Sequence, residues 1–197
     1  MALSGPAWVS KFPTGKSVDD LADGFREKVE EFVAALRAAG ATISINATRR
    51  PRQRAYLMHF SWRIAKNRIA PADATKFRPD DGEDEVDIQW LHKKPSGAPD
   101  VTASRAAAKA MVEAYGTGGS TVAPSLVSNH IRGTAIDMSV RWTGTLSIKT
   151  QAGATVSITS GPRSSVNPDL IRVGRGYGVK HFSPPEADPP HWSLTGG

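Results

Sequence analysis

The sequence predicts an α+β fold in which helices pack on a small, mostly antiparallel sheet. Three observations lead there. Apolar residues recur at helical spacing in the first third of the chain, and residues 104–115 are alanine-rich and closed by Gly116. From residue 127 onward, short alternating runs bounded by Gly, Asn and Pro replace that pattern. Helices therefore come first and strands mostly later, the order expected of segregated layers rather than of repeated βαβ units. With 197 residues, 39% of them hydrophobic, the chain is long enough to bury a core, and residues 1–197 read as one domain.

The elements justify that class in turn. Ser17, Val18, Asp19 and Asp20 read as a helix start, a hydroxyl cap followed by two carboxylates near the N-terminal dipole. Leu21, Phe25, Val29, Phe32, Val33 and Leu36 carry the apolar stripe, and Gly40 supplies the stop. Residues 41–46 alternate around Ile43 and Ile45, as a strand does. After a turn at Arg50-Pro51, a second helix is expected over residues 53–67 with Tyr56, Leu57, Phe60 and Ile64 inward. Residues 72–85 are polar and acidic and read as an exposed insertion. A short strand over 86–90 and an alanine-rich helix over 104–115, closed by Gly116, follow. Residues 135–142 read as a strand and residues 145–159 as a hairpin turning at 151–154. The proline-rich segment 183–192 cannot be helical.

Composition excludes several function classes. Without cysteine there is no disulfide scaffold, Cys-based zinc finger or thiol nucleophile, so any metal site must be built from His, Asp and Glu. The net charge of +6 favours anionic partners, among them nucleic acid, lipid surfaces and an acidic cell wall. The densest basic group, Arg49, Arg50, Arg52 and Arg54, comes with no recognised reading helix or stacking sheet, so nucleic-acid binding is not expected. No stretch has the roughly 18–20 apolar residues of a membrane span, and residues 1–16 lack a secretory pattern. The expectation is a monomer made in the cytoplasm that reaches its place of action by release or delivery.

The chemistry-bearing segment is Ser128-Asn129-His130-Ile131-Arg132-Gly133-Thr134-Ala135-Ile136-Asp137. A tight turn at Gly133 can bring His130 and Asp137 to one point, and alternation puts Ala135 and Asp137 on one strand face. His191, in Asp188-Pro189-Pro190-His191-Trp192, is the natural third ligand. Two imidazoles and one carboxylate leave a position for water, which marks a catalytic rather than a structural zinc site. Such a site needs a carboxylate to move the proton, and Asp188 is placed to do so, with Glu186 as its rival.

Ser-x-His-x-x-Gly-x-Ala-x-Asp, followed by acid-x-x-His-Trp, resembles the signature of the D-alanyl-D-alanine metallopeptidases. That family includes dipeptidases, carboxypeptidases and the L-alanyl-D-glutamate endopeptidases of phage endolysins. Average residue frequencies give the first five positions by chance in about one chain in ten thousand of this length. The resemblance implies one Zn2+ held by His130, Asp137 and His191, with Asp188 as the catalytic acid/base. Aspartate rather than glutamate there points to the endopeptidase branch. It also implies an arginine in a turn after a strand, best matched by Arg50, to neutralise the forming oxyanion or hold a substrate carboxylate. Arg49 stands where the family carries an aromatic. The implied substrate is the stem peptides of peptidoglycan, and the implied setting is a phage or prophage endolysin or an antibacterial effector. The alternatives are a D-Ala-D-Ala carboxypeptidase or dipeptidase, and a non-catalytic wall- or protein-binding module that keeps the metal. Of the other histidines, His59 reads as part of an apolar helix face, His92 lacks a carboxylate at ligand spacing, and His181 could line the site. Ser128 lacks a nucleophile elbow and reads as a support of the loop.

Overall fold

The computed structural model describes residues 1–197. In chain order its elements are β1 (Ala2–Leu3), α1 (Asp23–Ala38), β2 (Thr42–Ala47), α2 (Arg52–Ala65), β3 (Ile88–Gln89), β4 (His92–Lys93) and β5 (Pro99–Asp100). Then follow α3 (Val101–Ala114), β6 (Ala135–Arg141), β7 (Leu146–Lys149), β8 (Thr155–Ile158), α4 (Pro168–Gly176), β9 (Lys180–His181) and β10 (His191–Ser193). The fold is α+β, and the chain divides into two compact units interleaved in sequence. One comprises Met1–Pro13 and Pro51–Val127, the other Thr14–Arg50 and Ser128–Gly197.

The second unit is built on a four-stranded antiparallel sheet in the order β2-β6-β10-β9. Ile136, Met138 and Val140 of β6 point to one side and are buried against Phe25, Val29, Phe32 and Leu36 of α1 and Leu170 and Val173 of α4. The β7–β8 hairpin adds Leu146, Ile148 and Ile158 to this core, the part the alternation of 145–159 predicts. Asp137, Ser139 and Arg141 alternate with the core residues and face the open side of the sheet.

Where the structure departs from the sequence reading, local geometry gives the reason. Ser17 does cap with a reciprocal Ser17–Asp20 box, but it caps a 3-10 turn, Val18–Asp20. Leu21 and Ala22 are extended, the Ala22 amide donates to the Gly133 carbonyl at 2.9 Å, and α1 starts only at Asp23. Helix α4 is absent from the sequence reading; Asn167 caps it by accepting from the Asp169 and Leu170 amides, and Pro168 occupies its first turn.

In the first unit, α2 and α3 bury Tyr56, Leu57, Phe60, Ile64, Ala108 and Met111 with Trp8, Val86, Ile88 and Trp90. The strand expected over 86–90 shortens to β3, which pairs in parallel with β1, a partner too short to show in the sequence pattern. The polar segment 72–85 is exposed along most of its length, yet Arg52 ion-pairs with its Asp80 and Glu83, and Phe77 packs edge-on to Tyr56. No helix is long and apolar enough to cross a membrane.

Candidate metal centre

All five residues singled out for chemistry lie in the second unit. Asp137 sits in the middle of β6, its Cα opposite His191 of β10 on one side and Ala47 of β2 on the other. The β2 register shifts between Ile45 and Ala47, so a bulge lies directly beside the carboxylate. His130 comes from the turn before β6. Gly133 makes that turn with φ of +71°, and its amide donates back to the His130 carbonyl at 3.2 Å. Trp192, next to His191 and on the opposite strand face, is fully buried, and its indole N–H donates to the Met138 carbonyl at 3.1 Å. That anchor aims His191 at the open face.

The three side chains converge. His130 Nε2 and His191 Nδ1 each lie 3.1 Å from the same Asp137 oxygen, Oδ1. One donor atom from each residue falls within 4.8 Å of the other two, so the cluster could hold a metal ion. Both imidazoles are buried and Asp137 is half-buried. Burial alone would push the Asp137 carboxyl up. Hydrogen bonds from His130 and His191, with their charges, outweigh that effect and hold it well below the usual carboxylate range.

The hydrogen bonding of His130 sets what can lie between it and Asp137. Its Nδ1 lies 2.7 Å from the Thr48 carbonyl, which can only accept, so Nδ1 carries the proton. In the neutral imidazole Nε2 is then a bare lone pair aimed at a carboxylate oxygen. Two acceptors so close need a cation between them, either a second proton on the ring or a metal ion. Thr48 is fully buried and is the supporting residue that sequence reasoning missed. Its only signal was its place at the end of β2, just before Arg49-Arg50.

Asp188 lies beyond the triad, its Oδ2 3.9 Å from His191 Nδ1 and its side chain about half exposed (47%), so it is within reach of solvent and of the same site. Glu186 is on the preceding 3-10 turn and forms no hydrogen bond or ion pair with the triad. Arg50 is fastened to the ligand turn: its backbone amide donates to the His130 carbonyl at 3.0 Å and its side chain is half-buried, whereas Arg49 is exposed. His181 supports the site from behind. Its Nε2 is 2.8 Å from the Pro189 carbonyl and its ring packs edge-on to Trp192, bracing the segment that presents His191. His59 and His92 are committed elsewhere, to the Pro124 carbonyl and the Ser4 hydroxyl, and Ser128 Oγ accepts weakly from the Ile131 amide within the turn.

Compared with known proteins, the chain matches no family profile, no curated protein and no solved structure.

Proposed function

We propose that the protein is a zinc-dependent peptidoglycan endopeptidase that hydrolyses amide bonds in stem peptides or their cross-links. The observation that carries this reading is the shared Asp137 oxygen facing two imidazoles, one of which has its other nitrogen already committed to Thr48. Three protein ligands with an open position fit a catalytic zinc ion, and the resemblance to the D-alanyl-D-alanine metallopeptidases supplies the substrate class. A zinc ion held by His130, Asp137 and His191 would polarise the scissile carbonyl and acidify the attacking water.

The rest of the chemistry belongs to the chain. Asp188, solvent-accessible and adjacent to His191, takes the proton from the attacking water and returns it to the departing amine. Arg50, tied through its backbone to the ligand turn, places a guanidinium to pair with the developing oxyanion or with a substrate carboxylate. The basic surface implied by a net charge of +6 suits an anionic wall, to which the protein would be delivered as an endolysin or effector.

Purified protein is expected to release fragments from purified sacculi, to stop on chelation and to recover with zinc. Fragment masses identify the bond: loss of a terminal D-Ala would instead indicate a carboxypeptidase. Asp188→Asn is expected to lower kcat by about 10²–10⁴-fold with zinc stoichiometry retained. Full-rate cleavage by that variant would remove Asp188 from the mechanism, and zinc binding without turnover on any wall would refute the enzyme reading.

A further inference from the structure

The open face of the sheet continues past the metal triad. Ser139 and Arg141 follow Asp137 on that face of β6, and at about 3.3 Å per residue Arg141 lies about 13 Å along the strand. A pocket of about 280 Å3 opens here, lined among others by Ser139, Arg141, Ser164, Glu186, Pro189 and Pro190. Pro189 and Pro190 lead directly into His191, and the Pro190 carbonyl accepts from the Met138 amide at 2.7 Å. Pocket and triad therefore share two walls, the strand that carries Asp137 and the segment that carries His191.

The pocket has one cationic and one anionic side chain, both exposed. Neither Arg141 nor Glu186 forms an ion pair with the rest of the chain. The flanking prolines restrict the backbone on both sides of Glu186, which limits the entropy lost when it meets a ligand. An extended peptide with its scissile bond at the triad would reach Arg141 about four residues away.

We propose that this pocket is a specificity subsite for a substrate residue bearing both a carboxylate and an ammonium group, the carboxylate paired with Arg141 and the ammonium with Glu186. The diamino acid of a stem peptide has that chemistry. A peptide with only anionic groups meets repulsion from Glu186, and one with only cationic groups meets it from Arg141, so the pair discriminates by charge pattern. The assignment rests on the peptidase reading for its substrate class, and its test separates the two.

The probes are a synthetic stem peptide containing diaminopimelate, the same peptide amidated at the side-chain carboxylate, and the same peptide acetylated on the side-chain amine. Binding is measured by calorimetry on the metal-free protein, and hydrolysis on the zinc-loaded protein. The unmodified peptide is expected to bind about tenfold more tightly than either modified form. Arg141→Ala should abolish the preference over the amide alone, and Glu186→Gln the preference over the acetylated form alone. Equal binding of all three peptides by the wild type, or an equal loss of all three in either variant, overturns the subsite. Hydrolysis without selectivity leaves the peptidase reading standing and removes the subsite. Selective binding without hydrolysis does the reverse.

Discussion

The Thr48 carbonyl determines which nitrogen of His130 faces Asp137, and that backbone contact leaves Nε2 to share a proton or a metal ion with the carboxylate. A ligand that binds only the folded state stabilises it by RT ln(1 + [L]/Kd), about 2.7 kcal/mol at a hundredfold excess over Kd. For a chain of this size that is a rise in Tm of roughly 5–10 °C. Zinc is expected to produce such a rise in the wild type and none in His191→Ala, read by calorimetry with and without the metal. An equal rise in both proteins would place the ion elsewhere. Hydrogen bonds and charge from the two imidazoles outweigh burial and keep the Asp137 carboxyl ionised across the neutral range.

At the scale of elements, the turn between His130 and β6 carries the greatest demand on a single residue. Gly133 has φ of +71°, and a Cβ added there would stand 2.9 Å from the Ala22 backbone nitrogen, the same amide that donates to the Gly133 carbonyl. Gly133→Ala meets both the left-handed backbone penalty and that contact, and is expected to lose about 1–3 kcal/mol of stability together with zinc affinity. Urea unfolding and a zinc titration check it; an unchanged midpoint would mean the turn tolerates a side chain. This glycine, with His130, Ala135 and Asp137, was legible in the sequence because the motif is local and each position has one physical reason. His191 was legible from its Asp188-Pro189-Pro190-His191-Trp192 setting, in which the prolines hold the segment extended. Helices α1 and α2 were legible from spacing and α3 from its alanine-rich composition, although α1 starts later than its apparent cap at Ser17. Others were not. β1 is two residues long, too short for alternation, and exists only by pairing with β3, the part of the expected 86–90 strand that forms. Helix α4 shows its Asn167-Pro168 start, but Gly174 and Gly176 interrupt the usual helical composition. Gly174 is there because Trp192 and Phe32 leave no room for a Cβ, a tertiary reason no local pattern displays. The pocket beside β6 depends on three distant segments meeting, and so had no signature at all.

At the scale of the whole molecule, all three tyrosines report on packing, because burial pushes each phenol above its ordinary value. Tyr115 rises to about 12, burial outweighing the opposing charge of Arg54, whose guanidinium sits 4.8 Å over its ring. Burial raises Tyr56 against its hydrogen bond from the Trp90 indole, and raises Tyr177, with the Glu31 charge adding to the effect. An unfolded tyrosine ionises near 10. Between about pH 10 and 12 the unfolded chain therefore releases protons that the folded chain retains, so the stability each phenol contributes is complete below 10 and is lost as the pH climbs through the folded value. Phenolate absorbance is expected to lag behind free tyrosine and then appear together with loss of the near-ultraviolet circular dichroism. Tyr115→Phe removes one titrating group while keeping the ring against Arg54, and should move the alkaline unfolding midpoint upward. Ionisation of all three phenols near pH 10 in a still-folded protein would show that the cores of both units are open to water. The midpoint shift from the single Tyr115 variant then tells how much of the alkaline transition belongs to the unit that holds α2 and α3.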